Sequence, residues 1–207
     1  MIRVKICGIT KLDDALLASE LGAAALGFVF WRKSPRVIDA DLAAAISEQL
    51  PAHVSTVGVF VDQPVDEIRR IAATARLSAV QLHGREPLDY SRQLLQPVIK
   101  AVPVDGGFRP ESIDTIPGEI TVLLDAHDPV RRGGTGRTID WTLARRAAER
   151  RPVFLSGGLA PENIRDAVTQ VRPYGVDLSS GVESAPGVKD PDRLRAFFGA
   201  LRDSDDA

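Results

Sequence analysis

The sequence predicts an α/β chain folded as a (β/α)8 barrel, and three observations carry that reading. Short apolar runs alternate with amphipathic stretches eight times over 207 residues. The runs are apolar nearly throughout instead of alternating, as strands covered on both faces should be. Glycine and polar residues collect just after the C-terminal ends of the runs, where a barrel carries its chemistry. Strands alternating with helices imply βαβ units and a parallel sheet. A doubly wound open sheet is the rival, because it also binds ligands at strand C-termini. Barrels of this kind run from about 200 residues upward as one domain. No linker or shift of composition divides the chain, so residues 1–207 read as a single domain with a polar tail from about 202.

Each element has its own signal. Val4–Cys7 is the first apolar run, and Lys11–Leu21 follows with helical spacing and Thr10 as its expected cap. Ala25–Phe30 and Asp41–Leu50 form the second strand and helix. Thr56–Val61 and Val65–Ala75 form the third pair, with Pro64 at the helix start. Ala79–Leu82 is followed by a helix expected over Pro87–Leu95. Val98–Val102 precedes a weaker helical segment, Arg109–Ile116. Ile120–Leu124, Val153–Leu155 and Tyr174–Leu178 complete the strands. Thr142–Arg150, a helix opening at Ala160–Asn163 and running to about Val171, and Pro191–Leu201 complete the helices.

Bulk properties exclude several classes. The formal net charge is -2, without the basic surplus expected of a nucleic-acid binder. No apolar run approaches the roughly 20 residues that span a bilayer, and Met1–Ile6 is too short and too charged for a signal peptide. One cysteine forbids an internal disulfide, and a lone thiol without an export signal points to the cytoplasm. His53, His83 and His127 share no metal-ligand spacing, so no metal site is expected. Gly133–Gly136 lacks the lysine and flanks of a P-loop, and no G-x-G-x-x-G follows the first strand, so nucleotide binding is not indicated.

The strand ends supply the candidate site. Ser156-Gly157-Gly158 follows the seventh strand, and Ser179-Ser180-Gly181 follows the eighth. Barrels often seat phosphate on these two loops, where glycines let backbone N–H groups approach an anion. Cys7, followed by Gly8, ends the first strand and reads either as a small buried hydrophobe or as a base. Moving a free thiol from its usual 8.5 to about 7 takes about 2 kcal/mol, which a nearby cation or helix N-terminus could supply. Asp125 ends the sixth strand and reads as a loop cap or a functional acid with its pKa raised by partial burial. The glycine-rich loop from Ala126 to Arg137 suits a cover over the site. Arg36 is a solvated surface residue or a fork for an anion. His83, beside Gly84 at a strand end, is a candidate to line the site.

Taken in order, these segments resemble the phosphoribosylanthranilate isomerase family. The resemblance rests on Lys5–Thr10, on Gly27–Phe30 leading into Lys33–Arg36, on Gln81–Gly84, on Leu124-Asp125, and on Gly133–Gly136 with Asp140-Trp141. It continues through Gly157–Leu159 with Pro161–Asn163 and Gly175–Glu183, and so covers nearly the whole chain. Two departures stand out: Ser156 where the family commonly has alanine, and Thr138-Ile139 where an aromatic usually precedes Asp140. The resemblance implies a (β/α)8 barrel of tryptophan biosynthesis and an Amadori rearrangement of a phosphosugar substrate without metal or organic cofactor. It implies Cys7 as general base, Asp125 as general acid, and Arg36 on the anthranilate carboxylate. His83 and Asp177 would contact substrate, and the backbone at Gly157, Gly158, Ser179, Ser180 and Gly181 would hold the phosphate. The alternatives are a noncatalytic phosphosugar-binding barrel or a related barrel enzyme such as an indole-3-glycerol-phosphate synthase. A synthase would be expected to carry essential lysines near strand ends, and this chain has few there.

Overall fold

The fold comes from a computed structural model that describes residues 2–126 and 139–205. Its strands are β1 (Arg3–Cys7), β2 (Ala25–Val29), β3 (Ser55–Phe60), β4 (Ala79–Leu82), β5 (Val98–Val104), β6 (Thr121–Ala126), β7 (Val153–Leu155) and β8 (Gly175–Leu178). All eight are parallel and neighbour one another in chain order. β1 pairs with both β2 and β8, so the sheet closes, and the open-sheet alternative is excluded.

The two faces of the strands divide by the alternation of side chains. Val4 and Ile6 of β1, Leu26 and Phe28 of β2, Val80 and Leu82 of β4, and Val176 and Leu178 of β8 join one apolar core with the helices. The intervening residues face into the barrel. Register ties them together: Cys7 pairs with Gly27, Gly27 with Val57, Val59 with Gln81, and Asp177 with Lys5. The strands are therefore largely apolar toward the helices, with Thr56 and Lys100 as exceptions, and carry Lys5, Cys7, Gln81, Asp125 and Asp177 on the inner face.

The outer helices are α1 (Leu12–Leu21), α2 (Ala40–Ser47), α3 (Val65–Thr74), α4 (Trp141–Ala148), α5 (Ile164–Val171) and α6 (Pro191–Asp205). Asp39 and Asp140 cap α2 and α4 by accepting from the amides of Asp41 and of Thr142 and Leu143. Thr10 does not cap α1. Lys11 holds the N-cap position without a side-chain bond, and the Thr10 hydroxyl donates instead to the Gly187 carbonyl. α6 continues to Asp205, past the expected start of the tail, because no glycine or proline interrupts residues 200–205.

Two connections are tighter than expected. Between β4 and β5 only Leu88–Arg92 turns, as a 3-10 helix, because Pro87 and Pro97 leave too few residues for a packed α-helix. Between β5 and β6, Pro110–Thr115 is likewise 3-10, bounded by Pro110 and Pro117. After β8 a turn at Ser180–Val182 leads into an antiparallel ribbon of β9 (Glu183–Ala185) and β10 (Val188–Lys189), which the sequence pattern did not reveal.

Arg151, just before β7, secures the β5–β6 connection. Its Nη1 donates to the Ile116 carbonyl at 2.7 Å, and its Nη2 donates to that of Ile120 at 2.7 Å. The Pro117 and Gly118 carbonyls lie at 3.3 Å. Loss of such charged donors strands several carbonyls at once. Arg151→Ala should therefore lower the unfolding free energy by about 2–3 kcal/mol. It should appear as a lower urea midpoint with an unchanged slope, and an unmoved midpoint would contradict this role.

Candidate active site

The C-terminal rim brings two buried polar groups to the inner face. The first lies at β1 and β8. Lys5 is 1% exposed, and its Nζ donates to Asp177 Oδ1 at 2.7 Å. Two residues on, and on the same face, Cys7 packs with Val29, Val59 and Trp31 in a small cluster apart from the main core. Gly27 makes this arrangement possible. A Cβ there would sit 2.8 Å from Cys7 Sγ and 3.1 Å from Lys5 Nζ, so only glycine leaves room for both.

Charge at this corner does not act as the sequence reading expects. Burial is the largest influence on Cys7 and pushes its thiol above the ordinary value. Lys5 and Lys189 pull it back, while Asp177 adds to the rise. Desolvation outweighs the cations and favours the neutral thiol, so the net lowering that a base would draw on is absent. Burial also works against the Lys5 ammonium, but Asp177 and the Cys7 sulfur outweigh it and hold Lys5 above its ordinary value.

The second group lies at β4 and β6. Asp125 is 6% exposed and lies within β6, which runs one residue beyond it. His83 Nε2 is 3.0 Å from Asp125 Oδ2, and His83 Nδ1 is 2.8 Å from Gln81 Nε2. An amide nitrogen only donates, so Nδ1 accepts and the ring proton sits on Nε2, pointing at the carboxylate. Gln81 Oε1 is buried without a partner. If the amide turned over, that oxygen would accept from an Nδ1–H and leave Nε2 free to share a proton held by Asp125. Asp125 and His83 both act electrostatically on Asp177, so the two groups share one interior.

The β7 and β8 loops lie between them. Gly157 and Gly158 have φ of +91° and +64°, conformations that favour glycine. Among the described residues neither amide has a hydrogen-bond acceptor. A Cβ on Gly157 would press on the Ala126 backbone at 2.8 Å and on Ile139 at 3.1 Å. Ile139 thus packs directly against this turn. Ser156 is anchored by its own amide to the Leu124 carbonyl at 2.7 Å. A Cβ on Gly181 would lie within van der Waals overlap of the Leu159 carbonyl, so the two glycine loops touch. Ser180 opens the turn there, and the Ser179 hydroxyl is buried without a partner.

Arg36 is neither solvated nor free. Its Nε and Nη2 donate to Glu183 at 2.9 and 2.7 Å. Arg36 and Lys189 hold that carboxyl below its ordinary value despite its burial. Lys189 Nζ in turn donates to Glu183 at 2.9 Å, to the Cys7 carbonyl at 2.6 Å and to the Ser179 carbonyl at 3.3 Å. The Arg36 stem packs over Gly8 beside Ser179.

The structure thus joins Cys7 with Asp177 through Lys5, joins Asp125 with His83, and sets Arg36 and Ser179 around Gly8. Gly157, Gly158, Ser180 and Gly181 form the intervening loops. Sequence reasoning passed over Lys5, Glu183 and Lys189. Lys5 had a local signal, since it alternates with Cys7. Glu183 and Lys189 had none, because their partners are remote in the chain. His127 and the Gly133–Gly136 loop lie outside the described residues. Among the described residues no group of three or more His, Cys, Asp or Glu could hold a metal ion.

Comparison with known proteins identifies the family. The family model described as N-(5'-phosphoribosyl)anthranilate (PRA) isomerase matches residues 4–200. The N-(5'-phosphoribosyl)anthranilate isomerase of Geobacter metallireducens is 49% identical over 200 residues, covering 96% of this chain and 98% of the relative. The crystal structure of phosphoribosyl anthranilate isomerase from Thermus thermophilus superposes with a TM-score of 0.90 at 47% identity, covering 98% of this chain and 99% of that one. A further solved isomerase, in complex with reduced 1-(o-carboxyphenylamino)-1-deoxyribulose 5-phosphate, has a TM-score of 0.86 at 43% identity, covering 98% of this chain and 100% of that one. The chain belongs to the N-(5'-phosphoribosyl)anthranilate isomerase family.

Proposed function

We propose that this chain rearranges N-(5-phosphoribosyl)anthranilate to 1-(2-carboxyphenylamino)-1-deoxyribulose 5-phosphate, with Cys7 as base and Asp125 as acid. The observation that carries the assignment is the order of the rim. The barrel runs β6-β7-β8-β1, so the two glycine loops lie between the strand of the acid and the strand of the base. A phosphate seated on those loops would hold the sugar between the two groups, which is the positioning that proximity catalysis needs.

The chemistry divides between them. The ring oxygen is a poor leaving group, so Asp125 gives it a proton as the C1–O bond breaks and the nitrogen lone pair forms the C=N bond. Asp125 takes that proton from solvent before the substrate covers the site, and with the Gln81 amide turned over, His83 carries its ring proton on Nδ1 and accepts from the Asp125 carboxyl at Nε2. The cationic Schiff base acidifies C2. The Cys7 thiolate takes the C2 proton, the C–H pair becomes the C1=C2 bond, and the C=N pair returns to nitrogen. The enolamine then gains a proton at C1 and loses one from the C2 hydroxyl, so no net proton, oxidant or reductant is consumed. Arg36 presents its remaining guanidinium edge to the anthranilate carboxylate, with Glu183 fixing the other edge. His83 and Asp177 line the space between. The same proposal places the reaction in the cytoplasm, on the strength of the single free thiol.

Turnover is followed by the loss of anthranilate-like fluorescence. Cys7→Ser and Asp125→Asn should each lower kcat by about 10²–10⁴-fold, the usual worth of a general acid or base, at unchanged urea midpoint. Near-normal turnover in either would remove that residue from the mechanism. Arg36→Ala should raise KM about tenfold or more, or about 1.4 kcal/mol of binding, with a smaller effect on kcat. An unmoved KM would assign the carboxylate elsewhere. The base works deprotonated and burial holds its pKa up, so the rising limb of kcat/KM is displaced toward alkaline pH. Activity should still be climbing at about pH 8, and a plateau reached on the acid side of neutrality would contradict a thiol base in this setting.

A further inference from the structure

Lys5 is buried on the inner face, is not needed to bind any substrate group named above, and stands beside the sulfur. Its ammonium is fixed from one side by Asp177 at 2.7 Å. On the other side it crowds the same point as Cys7 Sγ, the place left open because Gly27 has no Cβ. A buried cation needs a compensating partner, and one carboxylate already suffices for that. Its place beside the thiol is therefore extra to the pairing and bears on the charge that sulfur can carry.

We propose that Lys5 is a positioning residue for Cys7: held by Asp177, its ammonium is the counter-charge that lets the buried sulfur exist as a thiolate when C2 is deprotonated. The inference rests on Cys7 being the base. The thiol proton leaves to solvent before substrate covers the site, Lys5 keeps its three protons throughout, and the sulfur then takes the C2 proton. The other charges facing the sulfur are Asp177 on β8 and Lys189 on β10. Lys189 is committed to Glu183 and to the Cys7 and Ser179 carbonyls, and Glu183 also holds Arg36. Asp125 and His83 bear on Asp177 from across the barrel. Lys5 is thus the cation beside the sulfur whose side chain has one partner among the hydrogen bonds of the described residues.

Cys7 is the sole cysteine, so ultraviolet thiolate absorbance, with Cys7→Ser as the blank, reads this group alone. Lys5→Met would strand the Asp177 carboxylate, so the variants compared are Asp177→Asn and the double variant Lys5→Met with Asp177→Asn. Removing the carboxylate should lower the thiolate midpoint. Removing the ammonium as well should raise it by about 1–2 pH units relative to Asp177→Asn, the usual effect of one close charge, and lower kcat at neutral pH by about 10–100-fold. Shifts of opposite sign are not expected of a merely structural pair. A midpoint unmoved by loss of Lys5, in a protein whose turnover still depends on Cys7, overturns the role of Lys5. Near-normal turnover in Cys7→Ser overturns the base assignment instead.

Discussion

The barrel closes where β1 meets β8, and at that seam Lys5 and Asp177 stand in register and form a buried ion pair. Taking both charges out of water costs several kcal/mol per ion, and their attraction repays it only with good geometry. A pair of apolar side chains would fill the same space with less penalty. The pair is thus weakly accounted for by stability and well accounted for by its neighbours. Its carboxylate lies on β8, the strand that leads into one glycine loop and neighbours the other, and its ammonium lies two residues from Cys7. Fixing it fixes the inner face of the seam and sets a cation beside a thiol that otherwise packs against Val29, Val59 and Trp31.

Around that seam the rim is built by close approach. Gly27 leaves room for Lys5 and Cys7 together, Gly181 lets the β8 loop meet Leu159, and Gly157 lets the β7 turn meet Ala126. The ribbon β9–β10 then straps the end of β1. Lys189 reaches the Cys7 carbonyl, its amide donates to the buried Asp14 carboxylate at 2.8 Å, and Glu183 turns Arg36. Each tie joins residues far apart in the chain, so the site is a product of closure and not of any one segment. Preorganised groups of this kind are already oriented when the substrate's charge develops.

Much of this was legible from the amino-acid sequence. The eight apolar runs fell on the eight strands, because hydrophobic runs bounded by turn residues are strong signals. The glycines after the seventh and eighth runs marked the loops that now touch. Other features depended on tertiary context. Residues 87–95 carry helical spacing, yet Pro87 and Pro97 confine the chain to a 3-10 turn. Lys5 lay in a run read simply as apolar, although its alternation with Cys7 put it on the inner face. The direction of the thiol's shift could not be read from Cys7-Gly8, since it depends on how far burial outweighs cations supplied by β1 and β10. Arg36 looked free because Glu183, its partner, is 147 residues away.

The central claim is that one phosphosugar lies between the Cys7 sulfur and the Asp125 carboxyl, with its phosphate on the two glycine loops. A crystal structure of this protein with an unreactive reduced product analogue tests it most directly. The account predicts the phosphate on the amides of Gly157, Gly158 and Gly181. It also predicts the sulfur within about 4 Å of C2, near the reach of a reactive approach, and the Asp125 carboxyl at the opposite side of the sugar. An analogue bound with its phosphate away from those loops, or with Val29 and Val59 still shielding the sulfur from C2, would contradict it.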